Sequence, residues 1–598
     1  MKVFDAEVYR NYTLFMFKDV GSGSIEIFEQ YPGKKFDIKS LQNALQADTL
    51  IGFNSAKYDI PISRIALAGA DCAMLKAASD DIIVNELAPW HLEDRYPCVK
   101  LNVDHIDICE PTPGVMVSLK SYAGRIHAPR MQDLPIEPSA AITPAQRTLL
   151  REYCSNDLDV TERLYRQIEE RIKLREQMSD QYGIDLRSKS DAQIAEAVIK
   201  HEVQKLTGRE VKRPMIAPGT TYKYRSPGFI RFQTAQLQAV HAQVKNARYV
   251  VAENGSIDLP EELANLKISL GTSTYQMGIG GLHSTEKSTA HHADTEHFLQ
   301  DSDVASFYPA IILRCNLYPK HLGAEFIDVY RDIVFRRLAA KAAMKAATDS
   351  DLRAQHHVVQ ESLKIVLNGS FGKFGSKYSI LYSPDLLIQT TLTGQLALLQ
   401  LIEWLELHGI SVVSANTDGI VIKCPRAKRD DMAGIIKFWE FFSAFEMEAT
   451  EYSALYSKDV NNYLAVKPDG KVKAKGLYAE AGLMKNPTGA IAVEAVTQYL
   501  TKGTSISTTV RGCQDIRKFV TIRSVKGGGV QGDQYLGKTV RWYYSTAGQA
   551  ITYKTNGNKV AKSDGARALM ELPTTLPDDI DYAVYEAEAK AILIVIGA

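Results

Sequence analysis

Asp303-Val304-Ala305-Ser306-Phe307-Tyr308-Pro309 decides how this chain reads. It follows a strand-like run, His297 to Asp301, so a carboxylate falls where a strand ends. Further on, Asn416-Thr417-Asp418-Gly419 lies at the turn of a strand–turn–strand pattern, Ile410 to Lys423, flanked by Val412-Val413 and Ile420-Val421-Ile422. Asp303 and Asp418 thus sit at the ends of strands that could pack side by side. Two such carboxylates can hold two divalent ions about 3.5–4 Å apart, which clamp both oxygens of an in-line displacement at phosphorus. Between them, 325–347 and 352–372 carry helical spacing, parted only by Thr348-Asp349-Ser350-Asp351, the pattern of an antiparallel helical hairpin. Its second helix holds Lys364-x3-Asn368-Gly369-Ser370-Phe371-Gly372, with Lys364 and Asn368 one turn apart on one face. Arg337 and Lys341, also four apart, lie on the first helix and could complete a cationic clamp. Metals, alignment and positive charge on a leaving pyrophosphate are what phosphoryl transfer needs.

Toward the N-terminus, the first 175 residues or so alternate strands with helical stretches, an α/β pattern. Lys2 to Tyr9, Thr13 to Asp19 and Ser24 to Tyr31 read as strands. Pro144 to Lys173 reads as a helix, with Thr143 as N-cap, Pro144 in the first turn and Gln146 completing a capping box. Asp5 and Glu7, two apart on the first strand, share a face, and like charges so close repel unless a cation lies between them. Asn54 and Asp59 follow the strand-like Thr49 to Phe53. Tyr153 and Asp157 are one helical turn apart, a spacing that the nearby Asp159 does not keep. A lone D-x-E is commonplace; four acids and a tyrosine from strand, loop and helix suit a second pair of divalent ions.

Composition bounds the rest. With 598 residues, 45% hydrophobic and 23% charged, the chain has the make-up of a soluble protein of several domains. No apolar run reaches the roughly 18 residues a membrane helix needs, and MKVFDAEVY reads as a charged strand instead of a signal peptide. Seven scattered cysteines without a CxxC spacing exclude a zinc ribbon and point to a reducing cytoplasm. Seventy basic residues balance seventy acidic ones, yet 471–570 carries 16 Lys and Arg against 5 Asp and Glu. Tyr535, Trp542, Tyr543, Tyr544 and glycines 527–529 interleave that charge, the composition of a phosphate-gripping surface on which Lys538 and Arg541 would touch a duplex backbone. Gly532 to Thr539 formally matches the P-loop pattern, but the strand-like Val540 to Tyr544 follows where a helix should start. His105 with Asp107 reads as structural, as a strand histidine near the core usually is, and His292 with His297, which no cysteine pair accompanies, reads as a solvated loop leading into a strand.

In order and residue type, the central motifs resemble motifs A, B and C of family B DNA polymerases, DxxSLYP, KxxxNSxYG and YxDTDS, especially those of small phage-type members. Asp5-x-Glu7, Asn54 with Asp59, and Tyr153-x3-Asp157 resemble the three motifs of DEDDy-type 3′–5′ proofreading exonucleases. The resemblance implies a multidomain α/β and α+β chain in which an RNase H-like exonuclease domain (1–175) precedes a right-hand polymerase. A helical connecting region (176–270) leads to a palm (271–324 and 376–480), with the fingers hairpin (325–375) inserted and a thumb (481–598) after it. It implies that Asp303 and Asp418, with the Val304 carbonyl, bind two Mg²⁺, with Mn²⁺ as a substitute, and that Tyr308 excludes ribonucleotides. Lys364, with Asn368, Arg337 and Lys341, would meet the incoming nucleotide. Asp5, Glu7, Asp59 and Asp157 would bind the exonuclease metals, Tyr153 would orient the attacking water, and Asn54 would contact DNA. Tyr275 to Gly281 resembles the family's glycine motif between the two domains.

Four positions depart from the family: Asn416 for an aspartate, Gly419 and Gly369 for serines, and Phe371 for a tyrosine. Val460-Asn461-Asn462-Tyr463 stands where a lysine-containing KxY often holds the primer, leaving Tyr463 with Lys475, or Lys473, for that task. The short span from Asp303 to Lys364 has no room for the insertion of protein-primed members. The expected partners are primer–template DNA and dNTPs, with no membrane, for a cytoplasmic monomer; any processivity factor or helicase is left open. The competing functions are a DNA-binding 3′–5′ exonuclease with an inactive polymerase half, and a P-loop NTPase.

Overall fold

The computed structural model describes residues 1–114 and 117–598. They form two compact units: Met1–Ser190 with Glu480–Glu494 and Ser507–Ala587, and Asp191–Ala479 with Ala495–Ile506 and Glu588–Ala598. Among the described residues no helix is long and apolar enough to cross a membrane.

The first unit is built on β1 (Lys2–Tyr9), β2 (Tyr12–Asp19), β3 (Ile25–Gln30), β4 (Leu50–Gly52) and β5 (His105–Asp107), in the order β3-β2-β1-β4-β5. β2 pairs antiparallel with β1 and β3, whereas β4 runs parallel to β1 and β5 parallel to β4. β2 is buried continuously from Tyr12 to Phe17 because both faces of the sheet are covered. Phe4, Phe15 and Phe17 lie in one core and Val3, Leu14 and Met16 in another. Asp5 and Glu7 share the Val3 face of β1, which packs against helix α3 (Pro144–Tyr182) through Leu150, Cys154 and Leu158. Helix α1 (Asp59–Leu67) begins at a site acid, and α2 (Leu119–Arg125) lies beside α3. The capping box of α3 is as expected, the Thr143 amide donating to Gln146 Oε1 at 2.9 Å. The helix runs past the expected Lys173 to Tyr182, where Gly183 takes a left-handed φ of +67°.

The basic C-terminal stretch bears out one expectation, that Gly532 to Thr539 is not a phosphate-binding loop, and corrects another. Thr521–Gln531 and Gln534–Tyr544 form a β-hairpin turning at Gly532-Asp533, so Lys538 is mid-strand with no helix behind it, and the P-loop reading falls. Trp542, Tyr543 and Tyr544 are buried, not offered to a ligand, while Tyr535 and Lys538 stay exposed. Arg541 is fully buried as well. Its guanidinium donates to the carbonyls of Leu569 at 2.7 Å, Ala128 at 2.8 Å and Met570 at 3.3 Å, and burial pushes its pKa down to about 10. It ties the hairpin to the loop after α2 and cannot reach a DNA backbone. Arg541→Met should therefore destabilise the protein by about 3 kcal/mol, since each buried carbonyl left without a donor costs roughly 1–3 kcal/mol. Urea unfolding measures this, and Arg541→Lys should rescue little, because one ammonium cannot reproduce the fork.

The second unit carries a seven-stranded sheet. Its strands are β6 (Lys267–Leu270), β7 (Ser273–Met277), β8 (Leu282–Ser284), β10 (His297–Val304), β11 (Ser411–Asn416), β12 (Gly419–Pro425) and β13 (Met447–Tyr452), in the order β13-β10-β12-β11-β8-β7-β6. A smaller sheet joins β9 (Thr289–His292), β14 (Ala454–Asp459), β15 (Asn462–Val466) and β16 (Val472–Ala474). Helix α4 (Asp191–Thr207) opens the unit, and α5 (Phe307–Arg314) follows β10 directly. The helical hairpin is α6 (Glu325–Ala346) and α7 (Ser350–Phe374), with Asp349 capping α7 by accepting from the amides of Asp351 and Leu352. Helix α8 (Pro384–Leu407) is buried almost throughout. The stretch read only as a connection does more than connect: α4 packs along α7. There a Cβ at Gly369 would fall 2.5 Å from the Asp191 carbonyl oxygen, which accounts for glycine where the family has serine.

Candidate active sites

In the second unit, β10 is held between β12 and β13, with Asp303 opposite Gly419 on one side and Glu448 on the other. The β11–β12 turn places Thr417 at φ +60°, and the Asp418 amide donates to the Asn416 carbonyl at 2.7 Å. The Val304 amide then donates to the Asp418 carbonyl at 2.8 Å, which brings Asp303 and Asp418 together at the same end of the sheet. Gly419 is required by this closeness, since a Cβ there would run into the Asp303 carboxylate. Burial, and next the charge of Asp301, push the Asp303 carboxyl up to about 6 against the pull of Lys473. Burial likewise raises Asp418, opposed by Lys475 and Lys473. Carboxylates held where their ionised form is disfavoured form a donor set suited to divalent cations.

Asn416 is explained by its donor. Its Nδ2 gives a hydrogen bond to the Val460 carbonyl at 2.9 Å and lies 3.4 Å from Asn461 Oδ1, tying the turn to the β14–β15 connection. An aspartate there would face two oxygens with no proton to offer. Asn416→Asp, which restores the family residue, should therefore lower the unfolding midpoint and weaken activity about tenfold instead of improving it, with a loss of about 1–3 kcal/mol read by urea titration. The glycine turn between β7 and β8, Gly278 to Gly281, adjoins the β11–β12 turn: the Thr417 amide donates to the Leu282 carbonyl at 2.8 Å.

Tyr308, on α5, stacks on Phe371 with ring centroids 4.0 Å apart, and its hydroxyl donates to the Gly280 carbonyl at 2.5 Å. The ring is thus held between the glycine turn and α7. Ser306 adopts a left-handed φ of +50° where β10 gives way to α5, and its hydroxyl accepts from Arg337 Nη1 at 2.6 Å. Arg337 Nε is buried without a hydrogen-bond partner. Lys341 pairs at 2.9 Å with Glu448, the residue opposite Asp303. Lys364 pairs with Glu361 at 3.2 Å, and Asn368 is exposed one turn further along α7. Lys475 donates its amide to the Tyr463 carbonyl at 2.9 Å, with its ammonium 5.8 Å from that ring. Lys538 belongs to the other unit, where its amide donates to Asp133 Oδ2 at 3.1 Å.

In the first unit, ligand atoms of Asp5, Glu7 and Cys154 lie within 4.8 Å of one another, and Cys154 Sγ is 3.5 Å from Asp5 Oδ2. Asp59 is buried, and its Oδ1 has no hydrogen-bond partner. The loop that carries it is fixed by Asp107, whose carboxylate accepts from the amides of Asn54 at 2.8 Å and Ala56 at 3.0 Å. Asn54 takes φ +59° to make this possible. On α3, Asp157 accepts from the Lys120 ammonium, which also lies 4.4 Å from the Tyr153 ring centroid. Burial, then Asp157, push the Asp5 carboxyl up to about 7; Glu7 and Asp59 are raised by burial and by Asp5. An orphaned carboxylate oxygen among mutually repelling acids fits a divalent cation. Sequence reading missed Lys120, Cys154 and the positioning role of Asp107. A lysine on a short helix carries no local signal, whereas Cys154 stands directly beside Tyr153 within the Tyr153-x3-Asp157 spacing.

Residues 326–435, from α6 past the β11–β12 turn and strand β12 into the helix that follows it, match the model of DNA polymerase family B. That segment is similar to DNA polymerase family B. "DNA polymerase 1" of Sulfurisphaera ohwakuensis is 28% identical over 142 residues, 23% of this chain and 16% of that protein. "DNA polymerase 1" of Aeropyrum pernix is 26% identical over 163 residues, 27% of this chain and 17% of that one. The chain therefore spans about a sixth of the length of these curated relatives. A solved structure of the family B DNA polymerase from Pyrobaculum calidifontis aligns over 99% of this chain and 77% of its own, at 15% identity and a TM-score of 0.42. These relatives are archaeal, so they lend no support to the likeness to small phage members. The match to the family covers the helical hairpin and Asp418; Asp303 and the N-terminal acids lie outside it.

Proposed function

We propose that this chain is a DNA-directed DNA polymerase that extends primer–template DNA with dNTPs and carries a 3′–5′ proofreading exonuclease. The observation that carries the reading is the pairing of β10 with the β11–β12 turn, which sets Asp303 and Asp418 side by side beside the Tyr308 ring. Bound at these carboxylates, two Mg²⁺, or Mn²⁺ in their place, would activate the attacking oxygen and neutralise charge on the phosphates. Asp303 and Asp418, with the Val304 carbonyl, supply the ligands. Tyr308, stacked on Phe371, would exclude a ribose 2′-hydroxyl. Lys364, Asn368, Arg337 and Lys341 lie on the helical hairpin, from which they would bind the triphosphate and bear the charge of the leaving pyrophosphate. Tyr463, Lys475 and Lys538 would touch DNA.

The N-terminal acids support the second activity. Asp5, Glu7, Asp59 and Asp157 would hold the metals of hydrolysis, with Tyr153 orienting the attacking water and Asn54 meeting the displaced 3′ end. The β3-β2-β1-β4-β5 order, three antiparallel strands followed by two parallel ones, supports an RNase H-like reading of this domain. In the same reading the seven-stranded sheet is the palm, the α6–α7 hairpin the fingers, and the C-terminal basic segment the thumb. The rival reading, an exonuclease whose polymerase half is inactive, draws on Asn416; its bond to the Val460 carbonyl supports a structural duty for that residue instead.

The test is incorporation of a single nucleotide. With Mg²⁺ and one dNTP at a time, a matched primer should gain only the nucleotide complementary to the template, and the corresponding ribonucleotide should be rejected. Addition regardless of template, or none with any dNTP, would remove the polymerase reading.

A further inference from the structure

Asp301 is a buried carboxylate that the mechanism above does not use. It lies two residues before Asp303 on β10, on the same face of the strand, and is 6% exposed. Both of its observed partners meet one oxygen: the Tyr452 hydroxyl donates to Oδ2, and Lys473 Nζ donates to it at 2.9 Å. Tyr452 is itself buried on the neighbouring strand β13. Lys473 comes from the other sheet of this unit, on β16, and its ammonium lies 3.9 Å from Asp303 Oδ2. Its side chain is 42% exposed, so the ammonium is pinned on one side and open on the other. Burying a carboxylate and pairing it is rarely a net source of stability, since desolvation offsets most of the attraction. What the arrangement does provide is position: a cation on a flexible stem is held at one point beside the reacting centre.

An open ammonium there recruits an anion, and the anions of this reaction are phosphates. The hairpin cations Arg337, Lys341 and Lys364 sit on α6 and α7. Lys473 sits on β16, with Lys475 just past its end and Tyr463 on the adjoining strand β15. Two lysines two residues apart on an extended backbone face the same way and are spaced to follow a sugar–phosphate chain. We propose that Asp301 is a positioning residue: with Tyr452 it fixes the Lys473 ammonium beside Asp303, where Lys473 holds a phosphodiester oxygen of the DNA strand being extended. This rests on the reading of Asp303 and Asp418 as the polymerase site.

The test is the affinity of the full-length protein for a fluorescein-labelled primer–template duplex, measured by anisotropy in EDTA between about 50 and 200 mM NaCl. Lys473→Met should weaken binding about tenfold and reduce the slope of log K against log salt by about one, the signature of a lost phosphate contact. Lys473→Arg should keep the slope. Asp301→Asn should weaken binding about threefold with the slope unchanged, because the charge remains but is no longer held. The double variant should be no weaker than Lys473→Met alone, since Asp301 acts only through the lysine. An unchanged slope in Lys473→Met, or additive losses in the double variant, would overturn the proposal and leave a staple between two sheets. The underlying reading fails by a different result, undiminished primer extension by Asp303→Asn, so the two failures are told apart.

Discussion

Asp303→Asn and Asp418→Asn should each reduce primer extension on the order of a thousandfold or more and leave removal of a 3′ nucleotide at the wild-type rate. Asparagine keeps the shape of aspartate but not the charge, and charge is what holds divalent ions and offsets the phosphates. The register that places position 303 opposite Gly419, and the bond from the Val304 amide to the carbonyl of 418, use backbone atoms and survive either change. The folded state also disfavours ionisation at both positions, raising Asp303 to about 6 and Asp418 above its ordinary value. A neutral side chain therefore relieves repulsion. Near neutral pH, without metal, both variants should melt at or slightly above the wild-type temperature, which separates lost chemistry from lost structure. Parallel measurement of extension, exonuclease rate and thermal midpoint makes the check; normal extension by either variant would break the assignment.

Asp5→Ala should do the reverse, abolishing removal of a mismatched 3′ nucleotide while leaving extension from a matched end intact. Asp5 stands at the centre of the N-terminal cluster: it touches Cys154, and its charge raises both Glu7 and Asp59. Removing it takes away a ligand and half-empties the cation site, a loss on the order of a thousandfold in hydrolysis. The carboxyls that remain should titrate closer to their ordinary range, since the charge that raised them is gone. A mismatched primer in Mg²⁺ without dNTPs reads the effect directly, and persistent trimming by Asp5→Ala would place the nuclease elsewhere.

What the sequence made legible were features set by local period. Asp5 with Glu7, Tyr153 with Asp157, the capping box at Thr143 and the α6–α7 hairpin all follow from spacings of two and 3.6 residues. Helix α8 was missed because a helix buried on nearly every side has no apolar stripe to betray it. Arg541 and Trp542 were misread for a related reason: composition suggests a basic, aromatic surface, but exposure is decided by partners such as Ala128, 413 residues away in sequence. Lys120 reaches Asp157 across 37 residues, and Lys473 reaches Asp301 across 172, so neither pairing has a local signature. The departures at Gly369, Asn416 and Gly419 became intelligible only when the neighbouring carbonyls and carboxylate were in view.

A single gel tests the central claim, that one chain holds two carboxylate sites with opposed activities. A 5′-labelled primer on a longer template is incubated with the protein and Mg²⁺, with and without all four dNTPs. The account predicts lengthening with dNTPs and shortening without them. Shortening in both lanes would contradict it, leaving a nuclease whose second carboxylate pair does no chemistry.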